Sequence, residues 1–173
     1  MHGYGYKTED LERWLGSKQP RARDYFDAIQ SGNGFLFIRY VRDLQPGDFI
    51  AIKYLFWSKS TGHIMIVVKK PQMGIETPPF ITGTEQWIVT VIDSSEIGHG
   101  KSDTRYKRGR NGKDHDGLGR GIVRLYSDES GRIAGFSWGY GSKGSHVVQL
   151  AEFKGPDKAP VALGRLIPNF HPW

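Results

Sequence analysis

At Phe35 the apolar residues of this 173-residue chain stop recurring at helical spacing and begin to fall in short β-branched runs, and that change of period limits the fold most strongly. Ahead of it, Thr8 reads as an N-cap, Glu9 and Asp10 fill a first turn, and Leu11, Trp14 and Leu15 share one face until Gly16. A second helix is predicted from near Pro20, turning Ala22, Tyr25, Phe26 and Ile29 inward and stopping at Gly32. Beyond it, residues 35–40, 48–54, 63–69, 86–92, 122–126, 134–138 and 147–153 read as strands, with a hairpin turn at 128–131. Residues 71–84 form a Pro/Gly/Thr-rich loop, and 94–120 a long basic, Gly-rich excursion. A connection of that length inside a compact domain is either functional or mobile. Helices first and strands afterwards predict an α+β domain spanning 1–173, its short N-terminal helices packed on a mainly antiparallel sheet.

Composition narrows the chemistry. Cysteine is absent, so these residues supply no disulfide, thiolate metal site or cysteine nucleophile. The net charge of +6 favours an anionic partner, and it is uneven: residues 101–124 hold eight Lys/Arg against three Asp. No window approaches the roughly 18 apolar residues of a membrane span, and no basic-then-apolar export signal precedes the first helix.

Two polar residues stand where apolar strands begin or end. His63 opens Thr61-Gly62-His63-Ile64-Met65-Ile66-Val67-Val68, and Asp93 closes the run that starts at Trp87. If those strands pair antiparallel, both residues reach one edge of the sheet. A carboxylate there fixes the imidazole tautomer and stabilises the imidazolium. A nucleophile is then expected at a helix N-terminus facing that edge.

Four short motifs occur in order: Leu44-Gln45-Pro46-Gly47-Asp48, Thr61-Gly62-His63-Ile64-Met65-Ile66-Val67, Val91-Ile92-Asp93-Ser94 and Gly117-Leu118-Gly119-Arg120-Gly121. With helices ahead of them, the chain resembles the NlpC-type and CHAP-type branch of papain-like cysteine peptidases and amidases. The resemblance spans about the middle half of the chain and rests on the order of the motifs more than on any one of them. It implies a papain-like fold, with His63 as general base and Asp93 as its orienting partner. It also implies the activity of a bacterial cell-wall (peptidoglycan) amidase or endopeptidase working by Cys-His-Asp acyl transfer, without a cofactor. In such proteins the nucleophilic cysteine begins the first helix. Met1-His2-Gly3-Tyr4 matches that stretch, so Met1 falls on the cysteine position. A thioether has no thiolate form, and the chain as it stands is expected to be inactive. A pseudoenzyme, an upstream start and a truncated or altered chain are three competing explanations. Relatives of this kind often act outside the cytoplasm, whereas this chain shows no export signal, so its compartment stays open.

Other candidates carry plainer readings beside the chemical ones. His2 is a substitute acid/base beside His63 or, more simply, a terminal residue. His99, Arg105, Arg108 and Arg110 are candidate substrate-binding residues, the arginines being the better forks for carboxylate or phosphate. The plain alternative is a solvated loop. Asp114-His115-Asp116-Gly117 reads as a turn, since no further ligand stands at metal-site spacing, and no metal site is predicted. Gly117–Gly121 precedes a strand and so meets neither phosphate-loop pattern. The runner-up function is a non-catalytic module binding an anionic polymer or peptide through the cleft and the basic excursion. Nucleic acid is disfavoured as a partner, because no known reading motif accompanies the charge.

Overall fold

The computed structural model describes residues 7–54, 60–107, 112–113, 115–140, 147–149 and 159–171. Two helices come first, α1 (Thr8–Leu15) and α2 (Ala22–Ser31). Thr8 is the first helical residue and not the cap. Lys7 and Arg21 hold the cap positions, and their side chains have no acceptor to offer. The third residue of each helix replaces it: the Lys7 N–H donates to Asp10 Oδ2 at 2.9 Å, and the Arg21 N–H to Asp24 Oδ2 at 2.7 Å. Gly16 and Gly32 close the helices in the left-handed region, at φ 73° and 70°.

Among the described residues nine strands follow: β1 (Phe35–Phe37), β2 (Phe49–Lys53), β3 (Gly62–Val67), β4 (Gln72–Met73), β5 (Glu85–Ser95), β6 (Gly117–Ser127), β7 (Ile133–Ser137), β8 (Val147–Gln149) and β9 (Val161–Leu166). They form one antiparallel sheet ordered β1-β9-β2-β3-β5-β6-β7-β8, with β4 added on β5. The α+β class therefore holds, with helices ahead of the sheet. Neither β4 nor β9 is expected from the sequence, although β9 sits between β1 and β2. In the other direction, β1 ends at Phe37 and not at Tyr40, and of the expected strand 147–153 only 147–149 are described. The 94–120 excursion shrinks as well, because β5 runs on to Ser95 and β6 starts at Gly117. These two strands pair along their whole length, from Glu85 with Ser127 to Ser95 with Gly117.

The two faces of the sheet bury different things. Ala51 and Ala162 lie under the helices, packed with Trp14, Leu15, Phe26, Ile29 and Phe35. Small residues are required there: a Cβ on Gly164 would come within 2.6 Å of Ile29 Cγ1. Ile50 and Ile52 point the other way, into a second core with Met65, Val67, Val91, Val123 and Leu125. Each such side chain contributes about 1.5–3 kcal/mol on burial. The sheet curls around this second core until Tyr40 bridges Arg132. The Pro46-Gly47-Asp48 turn is a structural clasp. The buried Asp48 carboxylate accepts from Gln45 N–H at 2.6 Å and from Arg165 Nε and Nη2 at 2.8 Å each, fastening the start of β2 to β9.

Candidate functional site

His63 lies opposite Ile52 in the β2–β3 ladder, so its ring joins the curled face and not the helix face. Gly62 makes that start possible. Its φ is 141°, and a Cβ there would fall 1.9 Å from the Ile52 carbonyl oxygen. Across the β3–β5 ladder, Ile66 faces Ile92 and Val67 faces Val91, which sets His63 and Asp93 diagonally on one face. Their side chains meet: His63 Nε2 donates to Asp93 Oδ2 at 2.6 Å. The carboxylate is fully buried while the His63 side chain keeps 13% of its exposure. His63 Nδ1 has no hydrogen-bond partner among the described residues, so it is the nitrogen left to exchange a proton.

Behind this pair lies a buried ionic cluster that sequence reading did not assemble. Asp93 Oδ1 accepts from Arg105 Nη2 at 2.8 Å, and Asp103 Oδ2 accepts from the same nitrogen at 2.8 Å. Arg105 Nε donates to Asp103 Oδ1 at 2.9 Å, and Nη1 donates to Ser95 Oγ and to the Gly117 carbonyl, each at 3.0 Å. All five guanidinium donors are therefore used within the protein. His99 donates from Nδ1 to the Trp138 carbonyl at 2.6 Å, and its Nε2 approaches Asp93 Oδ2 at 3.0 Å, out of line for a good hydrogen bond. The Trp138 ring covers both imidazoles, with centroids 4.7 Å from His63 and 4.5 Å from His99.

The Gly117–Gly121 motif explains how the cluster fits beneath the sheet. A Cβ on Gly119 would stand 2.2 Å from Arg105 Nε, and one on Gly121 would stand 2.4 Å from Asp103 Oδ2 and 2.6 Å from His99 Cδ2. Alternate glycines on β6 thus open a trough that side chains from the excursion fill. Burial would raise the carboxyl of Asp93, but the hydrogen bond from His63 and the electrostatic pull of the two adjacent imidazoles, His63 and His99, overcome it and hold the group well below the usual carboxylate range. Asp103 is lowered in the same way: burial opposes, and Arg105 together with the backbone N–H groups of His99 and Arg105 prevails. Asp93 is thus an ionised acceptor for the ring it orients.

The structure brings His63, Asp93 and His99 together and redefines several other candidates. Arg105 is 2% exposed with every donor engaged, so it is no fork for a ligand. His99 is fully buried and lines no open cleft. Met1, His2, Arg108 and Arg110 lie outside the described residues. Asp93 stands within β5, not at its end. The expected helix N-terminus facing the pair is not found in α1 or α2, which pack on the opposite face of the sheet. His115 Nδ1 turns back to the Asp116 carbonyl at 2.5 Å, and among the described residues no cluster of three potential ligands could hold a metal ion. No described helix is long and apolar enough to cross a membrane. Trp138 and the partnership of Asp103 with Arg105 were missed. The only signal for the latter was the pair of alternate glycines, which ask for a large neighbour.

Compared with known proteins, the chain is 35% identical over 166 residues to an uncharacterized protein of Acanthamoeba polyphaga mimivirus, covering 91% of this chain and 69% of that protein. It belongs to the family of that viral protein. No family model matches the chain. No solved structure matches it significantly.

Proposed function

We propose that His63 and Asp93 are the general acid–base pair of an acyl-transfer hydrolase scaffold of the papain-like, NlpC/CHAP type. The observation that carries this reading is the 2.6 Å contact from His63 Nε2 to a buried, ionised carboxylate, with Nδ1 unpaired among the described residues on a partly exposed ring. Such a ring takes a proton at Nδ1 while Asp93 stabilises the imidazolium that results. The order of helices, Pro-Gly-Asp turn, Gly-His strand and Asp-bearing strand supports the same assignment. In a relative carrying the thiol, the thiolate would attack an amide carbonyl, His63 would protonate the leaving amine, and water would release the acyl group. Peptidoglycan stem peptides are the proposed substrate class. These 173 residues contain no cysteine, so the chain as it stands is proposed to hydrolyse no amide.

The test has two arms. Incubation with peptidoglycan fragments should give no turnover above a His63→Ala control. A Met1→Cys variant behind a short leader should be alkylated by iodoacetamide faster than the same variant carrying His63→Ala. Equal rates would argue against a nucleophile position beside His63.

A second reading, a non-catalytic module for an anionic polymer, is favoured by the exposed cations Lys101, Lys107, Lys113 and Arg120 near the same end of the sheet. Arg105 leaves that list because its donors are spent. This reading predicts binding that falls with salt, survives His63→Ala and is lost when the four cations are removed together.

A further inference from the structure

On the opposite face of the sheet from His63 lies a second buried cation, and it has no carboxylate. Arg124 on β6 is fully buried, paired across the sheet with Ile88 and Ser137. Its Nη1 is held by the Thr77 carbonyl at 2.6 Å and lies 3.1 Å from the Tyr126 hydroxyl. Among the described residues its Nε and Nη2 have no hydrogen-bond partner, and neither has the buried Thr77 hydroxyl. No described carboxylate lies within ion-pair distance of it. The flanking surfaces are aromatic, with the Tyr140 and Tyr126 ring centroids 5.1 and 5.9 Å from the guanidinium carbon. Thr77 is fixed in place, because the Gln86 side chain accepts from its N–H at 3.1 Å and donates to its carbonyl at 3.0 Å.

Native interiors satisfy buried polar groups almost without exception, and an arginine without an anion is the costliest kind to leave open. Which donors are open is informative. Nε and Nη2 form the side-on edge of the guanidinium, two parallel N–H groups spaced to meet the two oxygens of one carboxylate. The opposite edge is already tied to protein carbonyls. A third donor, the Thr77 hydroxyl, belongs to the residue that holds Nη1. We infer that Arg124 and Thr77 form a binding site for the carboxylate group of a small organic anion. Phosphate fits less well, since it is bulkier than the planar carboxylate that the side-on edge matches. Thr77, Pro79 and Tyr140 beside the fork are each only half-buried, so the site lies close to the surface. The site is independent of the His63 pair and lies on the other face of the sheet.

The probe is formate, the smallest carboxylate, offered to the full chain at ionic strength held constant with sodium chloride. Equilibrium dialysis with labelled formate should saturate at one per chain, and the unfolding temperature should rise with formate but not with the matched chloride. Arg124→Met should abolish both effects, and Thr77→Val should weaken binding several-fold. Should Arg124→Met fail to fold, Arg124→Lys keeps the charge without the fork and should lose at least tenfold in affinity. Absence of saturable formate binding to the wild-type chain would overturn the site. Binding retained in the arginine variants would do the same, and saturable phosphate binding without formate binding would overturn the carboxylate assignment.

Discussion

Replacing Asp93 with asparagine tests the buried cluster most severely, because the amide cannot be oriented without conflict. Asp93 Oδ2 faces His63 Nε2 at 2.6 Å and His99 Nε2 at 3.0 Å, and Oδ1 faces Arg105 Nη2 at 2.8 Å. Whichever position the amide nitrogen takes, a donor is set against a donor. The substitution also removes one of the two anions around a guanidinium that is 2% exposed. Breaking a buried ion pair costs about 3–5 kcal/mol. The surviving Asp103 contact keeps part of the compensation, which places Asp93→Asn near the lower end. Against a typical total stability of about 5–15 kcal/mol, that is a large fraction. With a urea slope of about 1–3 kcal/mol per molar, the midpoint should fall by about 1–3 M at unchanged slope. Urea titration followed by tryptophan fluorescence reads it directly. A loss below about 1 kcal/mol, typical of an exposed ion pair, would refute the claim that Asp93 is a buried, fully used acceptor.

Other consequences follow from the same geometry. Gly121→Ala should cost about 1–3 kcal/mol by overpacking against Asp103 and His99, measured by thermal or urea unfolding. Arg105→Lys should destabilise nearly as much as Asp93→Asn, because three donors replace five that are all in use, at about 1.5–3 kcal/mol per lost charged hydrogen bond. Asp93 and Asp103 are both lowered in the folded state, so their stabilisation is complete above the ordinary carboxylate value of about 3.9 and is lost as pH falls below it toward the depressed folded values. The unfolding temperature should therefore drop steeply below about pH 4, and less steeply in Asp93→Asn. An unchanged profile would count against the assignment.

The period of the sequence was enough for the helices and most of the sheet, and its failures have identifiable causes. β9 went unseen because Gly164 and Arg165 interrupt a three-residue apolar run, yet Gly164 is what admits Ile29 of α2. β5 and β6 are longer than expected because their last pairs, from Asp93 with Gly119 to Ser95 with Gly117, are polar or glycine positions. Strand signals built on apolar alternation fade there, although the backbone pairing continues. His63 and Asp93 were legible as partners because diagonal placement on one face needs only the strand boundaries and an antiparallel pairing. The roles of His99 and Arg105 were not legible. A Gly-rich stretch with many cations reads as solvated, and nothing local shows that alternate glycines on a distant strand have made room for it.

Asp93 fixes the tautomer of His63 and leaves Nδ1 without a hydrogen-bond partner among the described residues. Long-range proton–nitrogen correlation spectra of the histidine rings, assigned with His63→Ala and His99→Gln variants, measure this directly. The neutral His63 ring is expected to carry its proton on Nε2, and this preference to disappear in Asp93→Asn. A neutral ring protonated at Nδ1, or one averaging between tautomers in the wild-type chain, would contradict it.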